Sequence, residues 1–237
     1  MKKFLILVLI IPIFLMAGCL DNYVPVEEHN KLQEEYNQLK ENSYTTEVKL
    51  YSELSQQEEK LKLSQEEVKG YENLIDNLNE FLSCVYYGYA SNENWESDGF
   101  TAFSIFHNDE IYIITAGHCV ENEYGRFYNF KFKANFTNTW IYPKLLTYEN
   151  DYYGNRDYAI FYSDKVTNGL NYDLKNSYPK FILGNIDKNI LKEFNIYNLL
   201  EGESGSPVVD LDGEIIGIAT GNFVDVDLVI EAIDELE

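Results

Sequence analysis

Basic residues are scarce in this chain. The 237 residues include 18 lysines and arginines against 40 aspartates and glutamates, which gives a formal net charge of −22 at pH 7. Proteins that bind nucleic acid carry clusters of Lys and Arg, and this sequence has no basic patch. The composition therefore argues against nucleic acid as a partner. Acidity spread over the whole chain is most simply explained by solubility outside the cell.

Histidine and cysteine are also few, with three of each. They are scattered along the chain and lack the close spacing of metal-ligand motifs, so we expect no metal site and no cofactor. His29 and His107 have no neighbours that suggest chemistry, and we expect them to be surface or core residues.

Proline and glycine are nearly absent from segment 26–83, where Gly70 is the only exception. Its apolar residues follow alternating steps of three and four, with polar exceptions at Gln57 and Ser64. The repeating positions are Leu50, Leu54, Leu61, Val68, Tyr71, Ile75, Leu78 and Leu82. This heptad pattern predicts a coiled-coil stalk over 26–83, through which the protein could form a homo-oligomer. A solvated single helix, or a helix folded back on the rest of the chain, are the alternatives.

The chain begins with a positively charged pair, Lys2 and Lys3, followed by an apolar run from Phe4 to Met16. This run is too short for a stable membrane span, and together with the charges it is typical of a secretory signal. Small residues and a cysteine, Ala17-Gly18-Cys19, end the segment.

The Ala-Gly-Cys ending resembles a bacterial lipobox, whose cysteine is acylated and becomes the first residue of the mature protein. The resemblance implies a signal peptide at 1–18, lipidation of Cys19 and a short anchor and tether at 19–25. The protein would then be held by lipid on the extracytoplasmic side of a membrane in the bacterial cell envelope. The alternative is an ordinary signal peptide with a chance cysteine.

Three motifs in the remainder of the chain place a histidine, an aspartate and a serine in that order. The motifs are Thr115-Ala116-Gly117-His118-Cys119, Arg156-Asp157-Tyr158-Ala159-Ile160 and Gly202-Glu203-Ser204-Gly205-Ser206-Pro207. A hydroxyl is a poor nucleophile until a base takes its proton, and an imidazole base needs a partner that holds its tautomer. We therefore predict His118 as the base, Asp157 as the orienting acid and Ser204 as the nucleophile. The N–H groups of Gly202 and Ser204 could hold a developing oxyanion.

The motifs TAGHC, RDYAI and GESGSP resemble the signatures of bacterial chymotrypsin-like (trypsin-fold) serine endopeptidases, over roughly residues 84–237. The order His, Asp, Ser also differs from that of the α/β-hydrolases. The resemblance implies an all-β catalytic domain of two antiparallel β-barrels, with a short C-terminal helix and the triad in the cleft. Because the interval between Asp157 and Ser204 is short for the family, we expect a shortened second barrel.

The resemblance also bears on activation and on substrate. Glu203 stands where the animal enzymes carry an aspartate that pairs with a newly cut N-terminus. A distant, lipidated N-terminus could not make that pair, so we expect activity without cleavage of a precursor. The substrate pocket would involve Asn198 near its base and Thr220 and Asn222 on a wall. The absence of an acid there argues mildly against a preference for Lys or Arg.

Two cysteines, Cys84 and Cys119, remain once Cys19 is assigned to lipid. In an oxidising compartment they could form a disulfide or remain free thiols. Family members often bridge the cysteine after the histidine to an earlier strand, although at closer spacing than here.

The sequence thus predicts a membrane-tethered serine endopeptidase that hydrolyses peptide bonds in a protein or peptide substrate through an acyl-enzyme. The alternative, from another class, is a surface-anchored binding or assembly module that uses a catalytically inactive trypsin-like fold.

Overall fold

The computed structural model describes residues 25–123, 125–151, 155–175, 178–184 and 191–236. The predicted signal peptide at 1–18 and the predicted lipidation site at Cys19 lie outside the described residues. Of the predicted tether at 19–25, only residue 25 is described. Among the helices that the structure describes, none combines the length and the apolar character needed to cross a membrane.

The N-terminal part of the described chain is helical, as predicted. Helix α1 (Val26–Asp76) is followed by the short helix α2 (Leu78–Ser83). Contacts divide the chain into two units, Met1–Lys62 and Leu63–Glu237, so the boundary falls inside α1. The last turns of α1 therefore belong to the same compact unit as the β-sheets, and that unit begins earlier than the predicted boundary at residue 84.

Apolar side chains anchor the end of α1 and α2 within this unit. Leu74 is 1% exposed and Leu82 is 2% exposed, and both belong to the main hydrophobic core. The ring of Tyr71 meets Phe181 edge to face, with 5.8 Å between the ring centroids. The helical segment after Leu63 is thus part of the packed domain.

Five of the predicted heptad positions in α1 remain open to solvent. Their exposed fractions are 59% for Leu50, 51% for Leu54, 59% for Leu61, 54% for Val68 and 61% for Ile75. The helix itself is confirmed, whereas its pairing in a coiled coil stays a prediction.

Fourteen strands follow within the described residues. They are β1 (Val85–Ser91), β2 (Glu96–His107), β3 (Glu110–Thr115), β4 (Glu121–Asn122), β5 (Gly125–Arg126), β6 (Asn129–Ala134), β7 (Trp140–Ile141), β8 (Lys144–Asn150), β9 (Asp157–Tyr162), β10 (Phe181–Leu183), β11 (Leu191–Glu193), β12 (Ser206–Val209), β13 (Ile215–Ala219) and β14 (Phe223–Asp225). Helix α3 (Val226–Asp234) ends the fold.

The strands form two main antiparallel sheets of unequal size. The first has seven strands in the order β7-β6-β1-β2-β3-β9-β8, and the second has five in the order β11-β10-β12-β13-β14. Strands β4 and β5 form a separate hairpin. The prediction of an all-β domain with a smaller second half and a short C-terminal helix is therefore confirmed.

Apolar residues from both sheets and from α3 share one core. It joins Val85 and Ile105 of the first sheet with Leu183 and Ile218 of the second, and Ile233 of α3 packs against them. A second cluster, rich in phenylalanine, lies on the other face of the first sheet, and a third covers the other face of the second sheet. The shared core fixes the two sheets against each other.

Cys84 and Cys119 take the second of the two alternatives that the sequence left open. Both are buried free thiols. Cys84 lies in the shared core and Cys119 in the phenylalanine-rich cluster, so they pack on different faces of the first sheet. Burial raises the pKa of the Cys84 thiol.

His107 is a core residue, one of the two placements expected for it. Its ring is buried at the end of β2, with Nδ1 2.9 Å from the Tyr172 hydroxyl and Nε2 2.8 Å from Oδ1 of Asp234. The ring therefore ties the first sheet to helix α3.

Candidate active site

Two neighbouring strands of the first sheet bring His118 and Asp157 together. Strand β3 pairs antiparallel with β9, with Thr115 opposite Ala159. The chain leaves the end of β3 into a 3₁₀ turn, Gly117–Cys119, that carries His118, and β9 begins with Asp157. In an antiparallel pair the end of one strand meets the start of the other, so both residues lie at one edge.

His118 and Asp157 make two hydrogen bonds to each other. The backbone N–H of His118 donates to Oδ1 of Asp157 over 2.8 Å, and Nδ1 lies 2.7 Å from Oδ2. The carboxylate is fully buried, while the imidazole is 20% exposed. A carboxylate can only accept, so Nδ1 carries the proton and Nε2 of the neutral ring is left as a base.

The surroundings of His118 act on its basicity in opposite directions. Burial lowers the pKa of His118, whereas Cys119 and the Asp157 carboxylate raise it, and the net direction is upward. A carboxylate that stabilises an imidazolium in this way favours proton uptake by the ring.

Ser204 lies on a tight turn between two glycines with positive φ, 86° at Gly202 and 85° at Gly205. Its side chain is half-buried. The backbone N–H groups along the turn alternate: that of Glu203 donates to the Leu200 carbonyl and that of Gly205 donates to the Ala219 carbonyl. Among the described residues, no acceptor is found for the N–H of Gly202 or of Ser204. These are the two groups predicted for the oxyanion hole.

A threonine of the first sheet holds this turn, and sequence reasoning did not identify it. The backbone N–H of Thr101 donates to the carbonyl of Ser204 over 3.0 Å. Its hydroxyl donates to the carbonyl of Gly202 over 2.7 Å. Thr101 is fully buried in β2 and thus fixes the orientation of two peptide units of the turn. A lone threonine in a strand carries no sequence signal for such a role.

The turn also lies against the segment that leads to His118. A Cβ added at Gly205 would overlap the carbonyl oxygen of Thr101 and the hydroxyl of Thr115, and would lie 3.0 Å from the nitrogen of Ala116. Only glycine fits this approach. The Ser204 hydroxyl makes no hydrogen bond within the described residues. Hydrogen bonds between a nucleophile and its catalytic base are often long in the absence of substrate.

Glu203 is fully buried, and its carboxylate forms an ion pair with Lys192 of β11. The same carboxylate oxygen accepts the backbone N–H of Leu200 over 2.7 Å. We expected that no chain terminus would pair with Glu203. Its partner is instead Lys192, a side chain within the folded domain.

The three residues predicted for the substrate pocket differ in their settings. Asn198 is exposed at the end of a 3₁₀ turn, and its carbonyl accepts a hydrogen bond from Lys192. Thr220 is fully buried, and its hydroxyl accepts the backbone N–H of Asn222 over 3.0 Å. The Thr220 hydroxyl therefore stabilises the turn between Thr220 and Asn222. Asn222 is half-buried.

A buried hydroxyl lies two residues beyond Ser204. Ser206 is fully buried, and its Oγ has no hydrogen-bond partner in the part of the chain that the structure describes. It pairs with Ala219 across β12 and β13, so it faces the cluster that covers the outer side of the second sheet.

Three carboxylates meet near the turn between β12 and β13. One oxygen each of Asp173, Asp210 and Glu214 lie within 4.8 Å of one another. Asp210 accepts the backbone N–H groups of Asp212 and Glu214. Burial and the neighbouring aspartates raise the pKa of Glu214. The sequence prediction named no metal ligands, and the group holds no residue of the candidate active site.

Comparison with solved structures identifies the fold. The active form of the Rv3671c protease from M. tuberculosis superposes with a TM-score of 0.53 and 15% identity, over 69% of this chain and 86% of that chain. The serine endoprotease from Yersinia pestis gives a TM-score of 0.49 and 13% identity, over 67% of this chain and 66% of that one. No protein-family model matches the sequence, and no curated protein matches it significantly. From the first likeness, the chain has the chymotrypsin-like serine protease fold.

Proposed function

We propose that this protein is a serine endopeptidase that uses His118, Asp157 and Ser204. The observation that carries the proposal is the pair of hydrogen bonds between His118 and the buried Asp157. An aspartate is costly to bury without a partner, and here one of its oxygens accepts the backbone N–H of His118 while the other contacts the imidazole. The fold and the turn that carries Ser204 support the same assignment.

The proposed reaction follows from this geometry. Nε2 of His118 takes the proton of the Ser204 hydroxyl as Oγ attacks the carbonyl carbon of the scissile peptide. The negative charge that develops on the carbonyl oxygen is held by the N–H groups of Gly202 and Ser204. His118 then gives its proton to the leaving amine, which departs as the C–N bond breaks and leaves an acyl-enzyme. Water, deprotonated by His118, releases the acid product and restores Ser204.

Reaction of the full chain with a fluorophosphonate probe tests the proposal, because the probe phosphonylates only an activated serine. We expect labelling of the wild type, and no labelling of Ser204→Ala or His118→Ala. A folded wild type that resists the probe, or a Ser204→Ala variant that is labelled, would reject the peptidase. The first result would favour the surface-anchored binding module with an inactive trypsin-like fold.

We further propose that lipid on Cys19 anchors the protein to the extracytoplasmic face of a membrane in the bacterial cell envelope. Helix α1 would act as a stalk and pair with the helix of a second copy. The exposed positions Leu54, Leu61, Val68 and Ile75 recur every seven residues and supply the apolar stripe that such pairing needs. Sedimentation of the wild type beside a Leu54→Lys/Leu61→Lys variant tests this step, since charges in the stripe should yield monomers.

The substrate is proposed to be a protein or peptide, bound beside Ser204 with Asn198 and Asn222 near its side chain. Thr220 would act through the turn that it stabilises. Cleavage of a peptide library, with Asn222→Ala as the comparison, tests this placement by a change in the preferred residue.

A further inference from the structure

A cavity of about 1010 Å³ lies between the end of α1 and the second sheet, within the compact unit Leu63–Glu237. Helix α1 closes one side of it, where a Cβ at Gly70 would lie 2.9 Å from the Cβ of Leu211. None of the described residues that line the cavity belongs to the candidate triad. Its volume is at the upper end of the range for ligand sites, so it has room for several residues of a peptide.

A buried cation, Lys180, forms part of the cavity wall. Lys180 is 7% exposed. Its Nζ lies 4.0 Å from the centroid of the Phe223 ring and 4.9 Å from that of Tyr178, and both rings line the cavity. Aromatic faces at these distances stabilise the ammonium form. Among the described residues, the ammonium of Lys180 makes no hydrogen bond and no ion pair.

This arrangement of Lys180 is unfavourable for the fold. Burial lowers the pKa of Lys180, and the charge of Asp225 opposes that shift only in part. A buried charge with no anion in contact costs folding free energy. Proteins retain such unfavourable groups chiefly at functional sites. The ammonium therefore suits an anion that enters the cavity from outside.

We propose that this cavity is a peptide-binding site in which Lys180 binds the free C-terminal carboxylate of a chain that ends in an apolar residue. The carboxylate accepts hydrogen bonds from Nζ, as in other sites that capture a chain end. The last side chain packs on the rings of Phe194 and Phe223, whose centroids are 5.6 Å apart. This site lies outside the proposed peptidase site and does not depend on the activity of Ser204.

The rim of the cavity limits the kind of anion that can enter. Four exposed acidic residues line it: Glu66, Glu67, Glu193 and Asp212. Their charges repel a ligand with several negative groups, such as phosphate or a polyanion, and attract basic groups. A peptide with one terminal carboxylate, preceded by neutral or basic residues, satisfies both the rim and Lys180.

The test is isothermal titration calorimetry on the full-length Ser204→Ala variant, in which the proposed nucleophile cannot consume the peptide. The ligand is a hexapeptide of one lysine, four alanines and a final phenylalanine, with either a free or an amidated C-terminus. The free acid should bind about 10- to 100-fold more tightly than the amide, because only the acid makes a charged hydrogen bond to Lys180. Inorganic phosphate and N-acetylphenylalanine should bind more weakly than the free-acid peptide.

Variants in the same background isolate the role of the lysine. Lys180→Met should bind the acid and the amide equally, whereas Lys180→Arg should keep the preference to within about tenfold. Lys165→Met removes an exposed lysine outside the cavity and should behave like the parent. Without peptide, Lys180→Met should melt at or above the parent temperature, because a buried charge has been removed.

Several outcomes would overturn the inference. One is a parent protein that binds acid and amide equally, a comparison that needs no change at Lys180 and serves where Lys180→Met does not fold. Others are a folded Lys180→Met that keeps the preference, or one that melts below the parent, since the lysine would then serve the fold. Phosphate or N-acetylphenylalanine that binds as tightly as the peptide would exclude a chain end as the ligand. Failure of the wild type to react with a fluorophosphonate would reject only the peptidase function.

Discussion

Gly117 lies directly against the backbone of Glu149, so closely that a Cβ at Gly117 would overlap the Glu149 carbonyl oxygen. The same Cβ would lie 3.0 Å from the carbonyl oxygen of Tyr158. Strands β8 and β9 thus press on the residue that precedes His118. The sequence alone does not reveal this constraint, whereas the structure leaves room for nothing larger than glycine at this position.

Replacement of Gly117 by alanine should therefore displace His118. The overlap is with backbone atoms, which cannot turn away as a flexible side chain can, so the 3₁₀ turn must shift from Asp157. We expect slower fluorophosphonate labelling by about 100-fold, because misplacement of a catalytic group by about 1 Å has an effect of that size. Ala116→Gly is the control, since it removes volume at the neighbouring position. Labelling of folded Gly117→Ala at the wild-type rate would contradict the assignment.

Thr101 offers a second test at the opposite side of the site. Thr101→Val keeps the shape of the side chain but removes the hydroxyl that donates to the Gly202 carbonyl. A hydrogen bond of this kind contributes about 0.5–1.5 kcal/mol, so we expect labelling to slow by up to about tenfold. Thr101→Ser retains the hydroxyl and should stay close to wild type. Equal labelling rates for the valine and serine variants would show that the Thr101 hydroxyl does not contribute to the site.

The sequence was most informative where chemistry constrains neighbouring residues. His118, Asp157 and the glycines around Ser204 each sit in a short motif, and the resemblance of these motifs to those of chymotrypsin-like peptidases implied the β-domain. The contacts of Thr101 and Lys192 could not be predicted. Each joins segments that are distant in sequence, and neither residue type has a distinctive local pattern.

The end of α1 shows a different limit of sequence reasoning. Heptad spacing marked Val68 and Ile75, which are exposed, but passed over Leu74, which is nearly fully buried. An amphipathic pattern shows that a helix has an apolar face and does not identify what covers it. Near its end, α1 has a second apolar face that packs against the protein's own core. The same segment therefore carries both the heptad pattern and the residues that bury this second face.

Leu74→Ala should therefore destabilise the β-domain although it lies in the helix. Truncation of a buried leucine typically costs about 2–5 kcal/mol of unfolding free energy. Leu63→Ala is the matched control, because Leu63 is 60% exposed on the same helix. Denaturant unfolding of both variants, followed by tryptophan fluorescence, measures the difference. Equal stability of the two variants would show that the end of α1 does not contribute to the core.

Membrane attachment gives a prediction that is independent of the catalytic site. If Cys19 carries lipid, Cys19→Ala removes the acceptor and should move the protein from the membrane fraction to the soluble fraction of bacterial cells. Fluorophosphonate labelling should be unchanged, since Cys19 lies outside the compact unit Leu63–Glu237. Cys119→Ala, which keeps the signal segment intact, should remain with the membrane. Retention of Cys19→Ala in the membrane fraction would refute the lipid anchor.

The acidic group of Asp173, Asp210 and Glu214 predicts a dependence of stability on pH. Burial first, and then the charges of Asp210 and Asp173, raise the pKa of Glu214 above its ordinary value of 4.5. The folded state therefore binds the proton more tightly than the unfolded state, so stability falls as the pH rises from 4.5 through the folded-state pKa.

Glu214→Gln removes this penalty and should raise the melting temperature at pH 7 but not below pH 4.5. Glu231→Gln, at an exposed position on α3, is the control. The measurements are made in EDTA, which keeps cations from the three carboxylates. A Glu214→Gln variant that melts below wild type at pH 7 would show instead that the charge of Glu214 stabilises the fold.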